Sequence, residues 1–169
     1  KEIHSNLKRF NVLVCHRRFG KTVLAVNELI KTALTLDLPR PRCFYMAPTF
    51  ASAKRIAWDF LKHYTSVIPD IEYHETELRA DFPNGARIQL LSCERPENIR
   101  GIYIDQIVLD EYQNFPPNMF AEIIRPATSD RAGKVIFQGT PNGFSSPLFE
   151  MYQLSQQEES WFGKIFKAS

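Results

Sequence analysis

The stretch that most narrows the fold is residues 10–38, FNVLVCHRRFGKTVLAVNELIKTALTLDL. Phe10 to Cys15 is an apolar run of strand length, and from Thr22 apolar residues recur at 23, 26, 30 and 33–34. That recurrence is a helical stripe, predicted to continue to Leu38 and to stop at Pro39. A strand that passes through a short polar, glycine-containing turn directly into an amphipathic helix is half of a βαβ unit. Its strand carries apolar residues on both faces, which suits a parallel sheet covered on two sides.

The rest of the chain repeats the theme. Arg42 to Ala47, Ile104 to Leu109 and Lys134 to Gln138 are further short runs rich in Val, Ile and Phe. A second helix is predicted over about 51–64, with Thr49 as N-cap and Ile56, Phe60, Leu61 and Tyr64 on its buried face. Pro116-Pro117 and Ser146-Pro147 mark helix starts, giving helices over 117–125 and 147–154. Between these, EYHETELRADF and ARIQLL flank Pro83-Asn84-Gly85, an Asn-Gly hairpin signal, so an antiparallel insert is expected there. The alternation predicts a three-layer α/β domain, single over 1–169.

Charge and cysteine usage exclude several classes. Lys and Arg number 21 against 19 Asp and Glu, a net +2, so any nucleic-acid contact must be local rather than a property of the whole surface. Cys15, Cys43 and Cys93 fit neither a disulfide framework nor a zinc spacing. Four histidines, His4, His16, His63 and His74, show no ligand spacing and are read as surface or packing residues. No apolar run reaches the roughly 20 residues needed to span a bilayer and no signal-peptide core is present, so a chain acting in a reducing cytoplasm without a membrane is expected.

Three segments carry chemistry. Gly20-Lys21-Thr22 ends the pattern G-x-x-x-x-G-K-[ST], with Cys15 in place of the first glycine. Read as a phosphate loop, the backbone N–H groups of residues 17–22 face a β-phosphate, Lys21 reaches the β- and γ-phosphates, and the Thr22 hydroxyl holds Mg²⁺. The competing reading is a plain turn ahead of a helix. In IDQIVLDE, Asp110 and Glu111 fall at the C-terminal end of a buried strand, where α/β sheets bind ligands. Asp110 would act on Mg²⁺ directly or through its water, and Glu111 would orient and deprotonate an attacking water. In KVIFQGTPNG, Thr140 at a strand end is the candidate sensor of a γ-phosphate, against the alternative of a simple turn.

Taken in order, HRRFGKT, YMAPT, ENIRG with IDQIVLDE, and IIRPATSDRAGKVIFQGTPNG resemble the ATPase domain of the large terminase subunit of tailed double-stranded DNA bacteriophages, over about Arg9 to Tyr152. The resemblance implies a P-loop NTPase of the additional-strand, catalytic-glutamate type, with a mainly parallel sheet, helices on both faces and a hairpin insert. It implies ATP and Mg²⁺ as cofactors, with Arg17, Arg18, Phe19, Gly20, Lys21, Thr22, Asp110 and Thr140 around the nucleotide. Arg17 becomes a cis arginine on the γ-phosphate, an alternative being Arg18, and Arg100 a finger reaching a neighbouring subunit's ATP. Implied partners are double-stranded DNA, further copies in a ring, the portal protein and the small terminase subunit, in host cytoplasm at a procapsid.

The glutamine that such domains carry ahead of the P-loop strand has no counterpart before Phe10, and the tail after Thr140 has only Glu150, Glu158 and Glu159 as acids. A fragment without nuclease activity is therefore expected. A helicase or remodelling ATPase of the same fold, and a P-loop module that binds without hydrolysing, are the alternative readings.

Overall fold

Every residue of Phe10–Cys15 is buried, and the reason is its place in the sheet. The computed structural model describes residues 2–167. In chain order the elements are α1 (Glu2–Asn6), β1 (Phe10–Cys15), α2 (Lys21–Thr35), β2 (Arg42–Ala47), α3 (50–65), β3 (Glu72–His74), β4 (Arg79–Asp81) and β5 (Arg87–Ser92). They continue with β6 (Gln106–Leu109), α4 (120–127), β7 (Lys134–Gly139), α5 (Pro147–Ser155) and β8 (Trp161–Phe166). The strands form one eight-stranded sheet in the order β3-β4-β5-β2-β6-β7-β1-β8. From β5 to β8 all neighbours are parallel, whereas β3-β4 and β4-β5 are antiparallel.

Alternation along β1 divides the interior into two cores. Leu13 and Cys15 face the side covered by α2 and α3, where they join Leu29, Trp58 and Leu61. Phe10, Val12 and Val14 face the other side with Phe120, Phe137, Leu148 and Trp161. Period-two alternation with both faces apolar is what makes the strand read as a continuous hydrophobic run. On the second face Trp161 of β8 stacks on Phe10 at 4.9 Å and on Phe137 at 5.8 Å, so β8 is held by ring contacts as well as by its ladder to β1.

Several elements depart from expectation. Helix α2 ends at Thr35, because Leu36 is already extended (φ −68°, ψ 120°) on the way to Pro39. The third core strand begins at Gln106 rather than Ile104, whose N–H is drawn away to the Ala127 carbonyl at 3.0 Å. The helix expected at 117–125 begins at Phe120, since Pro116 first closes a turn with the Met119 N–H at 3.2 Å.

Helix α3 does start at a Thr49 N-cap, with a reciprocal Thr49–Ser52 capping box. A π-helical turn over Lys54–Trp58 then rotates the remainder of the helix. Ala53, Ala57, Trp58 and Leu61 form the buried face, and Phe60 is 40% exposed, stacked along Tyr64, which corrects its assignment to the core.

The hairpin about Asn84-Gly85 forms as read, with Gly85 at φ 87° and the Asn84 side chain accepting the Ala86 N–H at 3.0 Å. Its second strand, β5, also pairs in parallel with β2, so the insert is the edge of the main sheet and not a separate ribbon. No helix among the described residues is long and apolar enough to cross a membrane.

Candidate functional site

The C-terminal ends of β1, β6 and β7 lie side by side, and the loops leaving them carry the phosphate-loop, acid-pair and Thr140 segments. After β1 the chain turns through residues 16–20, with the Phe19 N–H on the His16 carbonyl at 3.3 Å. Arg18 (φ 65°) and Gly20 (φ 84°) are both in the left-handed region. Gly20 is the N-cap of α2, and no side chain caps that helix. The first amides of a fifteen-residue helix are thus left without an intrachain side-chain partner, the arrangement that suits an anion.

Cys15 needs no glycine-like freedom. It is the last residue of β1, extended and fully buried opposite Phe166 of β8, and the turn that the missing glycine would have made is supplied by Arg18 and Gly20. Burial pushes its thiol up to about 11, so it is an inert packing group.

Lys21 Nζ lies 3.2 Å from Glu111 Oε1, with the two side chains 11% and 30% exposed. Glu111 has φ 53° and ψ 45°, a left-handed conformation that costs a non-glycine residue about 1–2 kcal/mol. This backbone turns the chain, just after β6 and Asp110, into the 3₁₀ turn Tyr112–Asn114.

Asp110 is only 2% exposed and both its oxygens are occupied. The Tyr45 hydroxyl donates to Oδ2, and Gln138 Nε2 donates to Oδ1 at 2.9 Å. Burial raises the Asp110 pKa despite those two hydrogen bonds. Burial and the neighbouring Asp110 carboxylate likewise drive the Tyr45 phenol well above its ordinary value, so it stays a neutral donor to Asp110.

The remaining acceptor of Glu111, Oε2, receives a hydrogen bond from Gln113 Nε2. The same nitrogen is 3.2 Å from Thr140 Oγ1, which is itself 3.5 Å from Glu111 Oε2. Arg17, Thr49, Arg55, Glu111, Gln113 and Thr140 together line a cleft of about 670 Å³ at this edge of the sheet.

The structure thus brings Arg17, Lys21, Thr22, Asp110, Glu111 and Thr140 to one edge. Arg18 and Phe19 are exposed on the loop outside that cleft, with the Phe19 ring on Phe166 at 4.8 Å. Arg100 stands apart, exposed after the 3₁₀ turn Pro96–Ile99 and lining a different cavity with Glu122 and Asp130. Tyr45, Gln113 and Gln138 escaped the sequence reading. A polar residue inside an apolar strand was the available signal for Tyr45 and Gln138; Gln113 had none.

A sheet in which β7 is inserted between the phosphate-loop strand β1 and the acid-bearing strand β6, with helices on both faces, is a P-loop NTPase fold of the additional-strand type. Within that class the sequence matches the family described as "Terminase large subunit, T4likevirus-type, N-terminal" over residues 14–152, most of the chain. The chain belongs to this family of phage large terminases.

Relatives include the large terminase subunits of Thermus phage G20c and Thermus virus P23-45, each 25% identical over 162 residues. The alignments cover 85% of this chain and 33% of those proteins, so the chain spans about a third of the curated relatives' length. Among solved structures, the ATPase domain of the Thermus phage P74-26 large terminase superposes with a TM-score of 0.81 at 20% identity, over 97% of this chain and 78% of that one. The large terminase of another thermophilic bacteriophage, in complex with ADP, gives 0.76 at 17% identity, over 94% and 40%. The complex of that same terminase with ATP-γ-S gives 0.76 at 18%, over 94% and 39%.

Proposed function

We propose that this chain is the ATP-hydrolysing motor domain of a DNA-packaging large terminase. The observation that carries the reading is the convergence of Lys21, Glu111, Thr140 and Arg17 beside the uncapped start of α2. A relative of the same fold has been solved with ADP and with ATP-γ-S, which supports a nucleotide here. The triphosphate lies over residues 17–22, with Lys21 and the α2 amides against its β- and γ-oxygens and Arg17 on the γ-phosphoryl.

The residues present suit Mg²⁺. Thr22 offers a neutral hydroxyl, and Asp110 a buried carboxylate whose two oxygens are already fixed by Tyr45 and Gln138. The Thr22 hydroxyl and the Asp110 carboxylate, directly or through water, would hold the ion. The ion, when bound, neutralises charge on the phosphates.

Glu111 then acts as general base toward a water in line with the γ-phosphorus. Arriving phosphate draws Lys21 away and frees Oε1 for that water. Thr140 reports the γ-phosphate through its hydroxyl, and the loop beyond it passes the change on. By family membership the work is done on double-stranded DNA, in a ring with portal and small terminase subunits at a procapsid in host cytoplasm. Arg100, outside its own cleft, serves a neighbouring subunit's ATP.

Phosphate release from Mg·ATP tests this. Turnover by the wild type, lost in Glu111→Ala and in Lys21→Ala, supports it; equal negligible rates in all three overturn it.

A further inference from the structure

Gln113 sits two residues beyond the candidate base and belongs to none of the motifs that define the site. Its side chain nevertheless bonds two of the residues that converge there. One nitrogen, Nε2, donates both to Glu111 Oε2 and to Thr140 Oγ1, the latter at 3.2 Å. Only the NH₂ end of an amide can lie against a carboxylate, so the orientation of the group is set by chemistry. The Oε1 end is buried and has no hydrogen-bond donor among the described residues. It lies against Gly139, the last residue of β7, where an added Cβ would fall 2.1 Å from Oε1 and 2.9 Å from Leu148 Cδ2. Gly139 does not need to be glycine for its backbone conformation, since its φ is not positive. Its missing side chain is the seat of the Gln113 amide.

On the reading that this chain hydrolyses ATP, we propose that Gln113 is a positioning residue that holds the Glu111 carboxylate and ties it to Thr140. Glu111 has two anchors before nucleotide arrives, Lys21 on Oε1 and Gln113 on Oε2. The first is surrendered to phosphate, and the second remains. Thr140 is free to turn its hydroxyl proton from Glu111 to the γ-phosphate while its oxygen keeps the hydrogen bond from Gln113. The presence of γ-phosphate at Thr140 and the aim of the base at Glu111 thus share one amide nitrogen. Loss of the amide leaves the base present but loosely aimed, and a misplacement of about 1 Å can cost on the order of 10²-fold in rate.

The test is a steady-state and binding comparison on the full chain. Gln113→Met keeps length and bulk and removes the donor. The expected result is a kcat lower by about 10–100-fold, with KM for ATP and the affinity for a fluorescent ATP analogue within about threefold of wild type. Gly139→Ala, which pushes on Oε1, is expected to lower kcat as well, and to do so far less in a Gln113→Ala background, because the group it displaces is gone.

Unchanged kcat in Gln113→Met, a change confined to KM, or strict additivity of Gly139→Ala with Gln113→Ala overturns the proposal. Should Gln113→Met fail to fold, Gln113→Glu preserves shape, sets a second carboxylate against Glu111 and is judged by the same split between kcat and KM. Wild type that binds ATP without hydrolysing it overturns the ATPase reading itself; hydrolysis by the wild type with an indifferent Gln113 overturns only the positioning role.

Discussion

Lys21 Nζ rests 3.2 Å from Glu111 Oε1, so the cation proposed for phosphate and the carboxylate proposed as base form an ion pair with each other. Both groups are partly shielded from solvent, and on the proposed function the pair competes with ATP for Lys21. Glu111→Gln removes that competition along with the base. It is expected to bind ATP more tightly than wild type and to lose about 10²–10⁴ in kcat, read from equilibrium titration with a fluorescent analogue and from phosphate release. Weaker binding by Glu111→Gln would show that Lys21 is not restrained by this contact.

Asp110 predicts an opposition between stability and function. Its folded-state pKa is raised above the ordinary 3.8 by burial, so the folded protein holds this proton more tightly than the unfolded chain. Stability from this group is present below the unfolded value and declines as pH rises through the folded one. Asp110→Asn has no such loss. The variant should melt higher than wild type at neutral pH, with the advantage shrinking toward pH 4, while Mg·ATP hydrolysis disappears. Thermal melts across pH 4–8 check the first part, and an advantage that grows toward acid would contradict it.

Cys15 stands where a P-loop ordinarily has glycine, yet it ends a strand and fills a packed site. Restoring the consensus with Cys15→Gly is expected to destabilise the fold by about 1–2 kcal/mol and to leave ATP affinity unimproved. Denaturant melts and nucleotide titration measure both. In the native protein the Cys15 thiol should resist alkylation at pH 8, since burial has pushed it up to about 11.

Arg17 and Arg100 are separated by their positions. Arg17 lines the cleft of its own chain, so Arg17→Ala should cost about 10³-fold in turnover with ATP still bound, at any protein concentration. Arg100 lines another cavity. Arg100→Ala should leave dilute protein unaffected and remove only the rise in specific activity that appears as copies associate. Activity measured against protein concentration distinguishes the two, and an equal loss in dilute Arg100→Ala would assign that arginine to its own subunit.

The backbone logic of this protein is local, which is why it could be read from the chain. Apolar runs such as Phe10–Cys15 announce strands buried on both faces, Gly20 and Pro39 bracket a helix, Asn84-Gly85 turns a hairpin, and charged or hydroxyl residues at strand ends mark Lys21, Asp110, Glu111 and Thr140. Register, helix phase and side-chain partnership are not local. The π-helical turn over Lys54–Trp58 exposes Phe60 by rotating a face that simple periodicity had buried. The parallel ladder from β2 to β5 makes a hairpin strand into part of the main sheet.

The shell around the reactive groups came from folding alone. Tyr45 reaches Asp110 from 65 residues away, Lys21 reaches Glu111 from 90, and Gln113 finds Thr140 across 27. A hydrogen bond between distant residues leaves no spacing in the sequence, because what places its partners is the order of strands in the sheet and not their order in the chain. The chain alone therefore pointed to the residues suited to the chemistry, and the tertiary structure decided which of them hold one another in position.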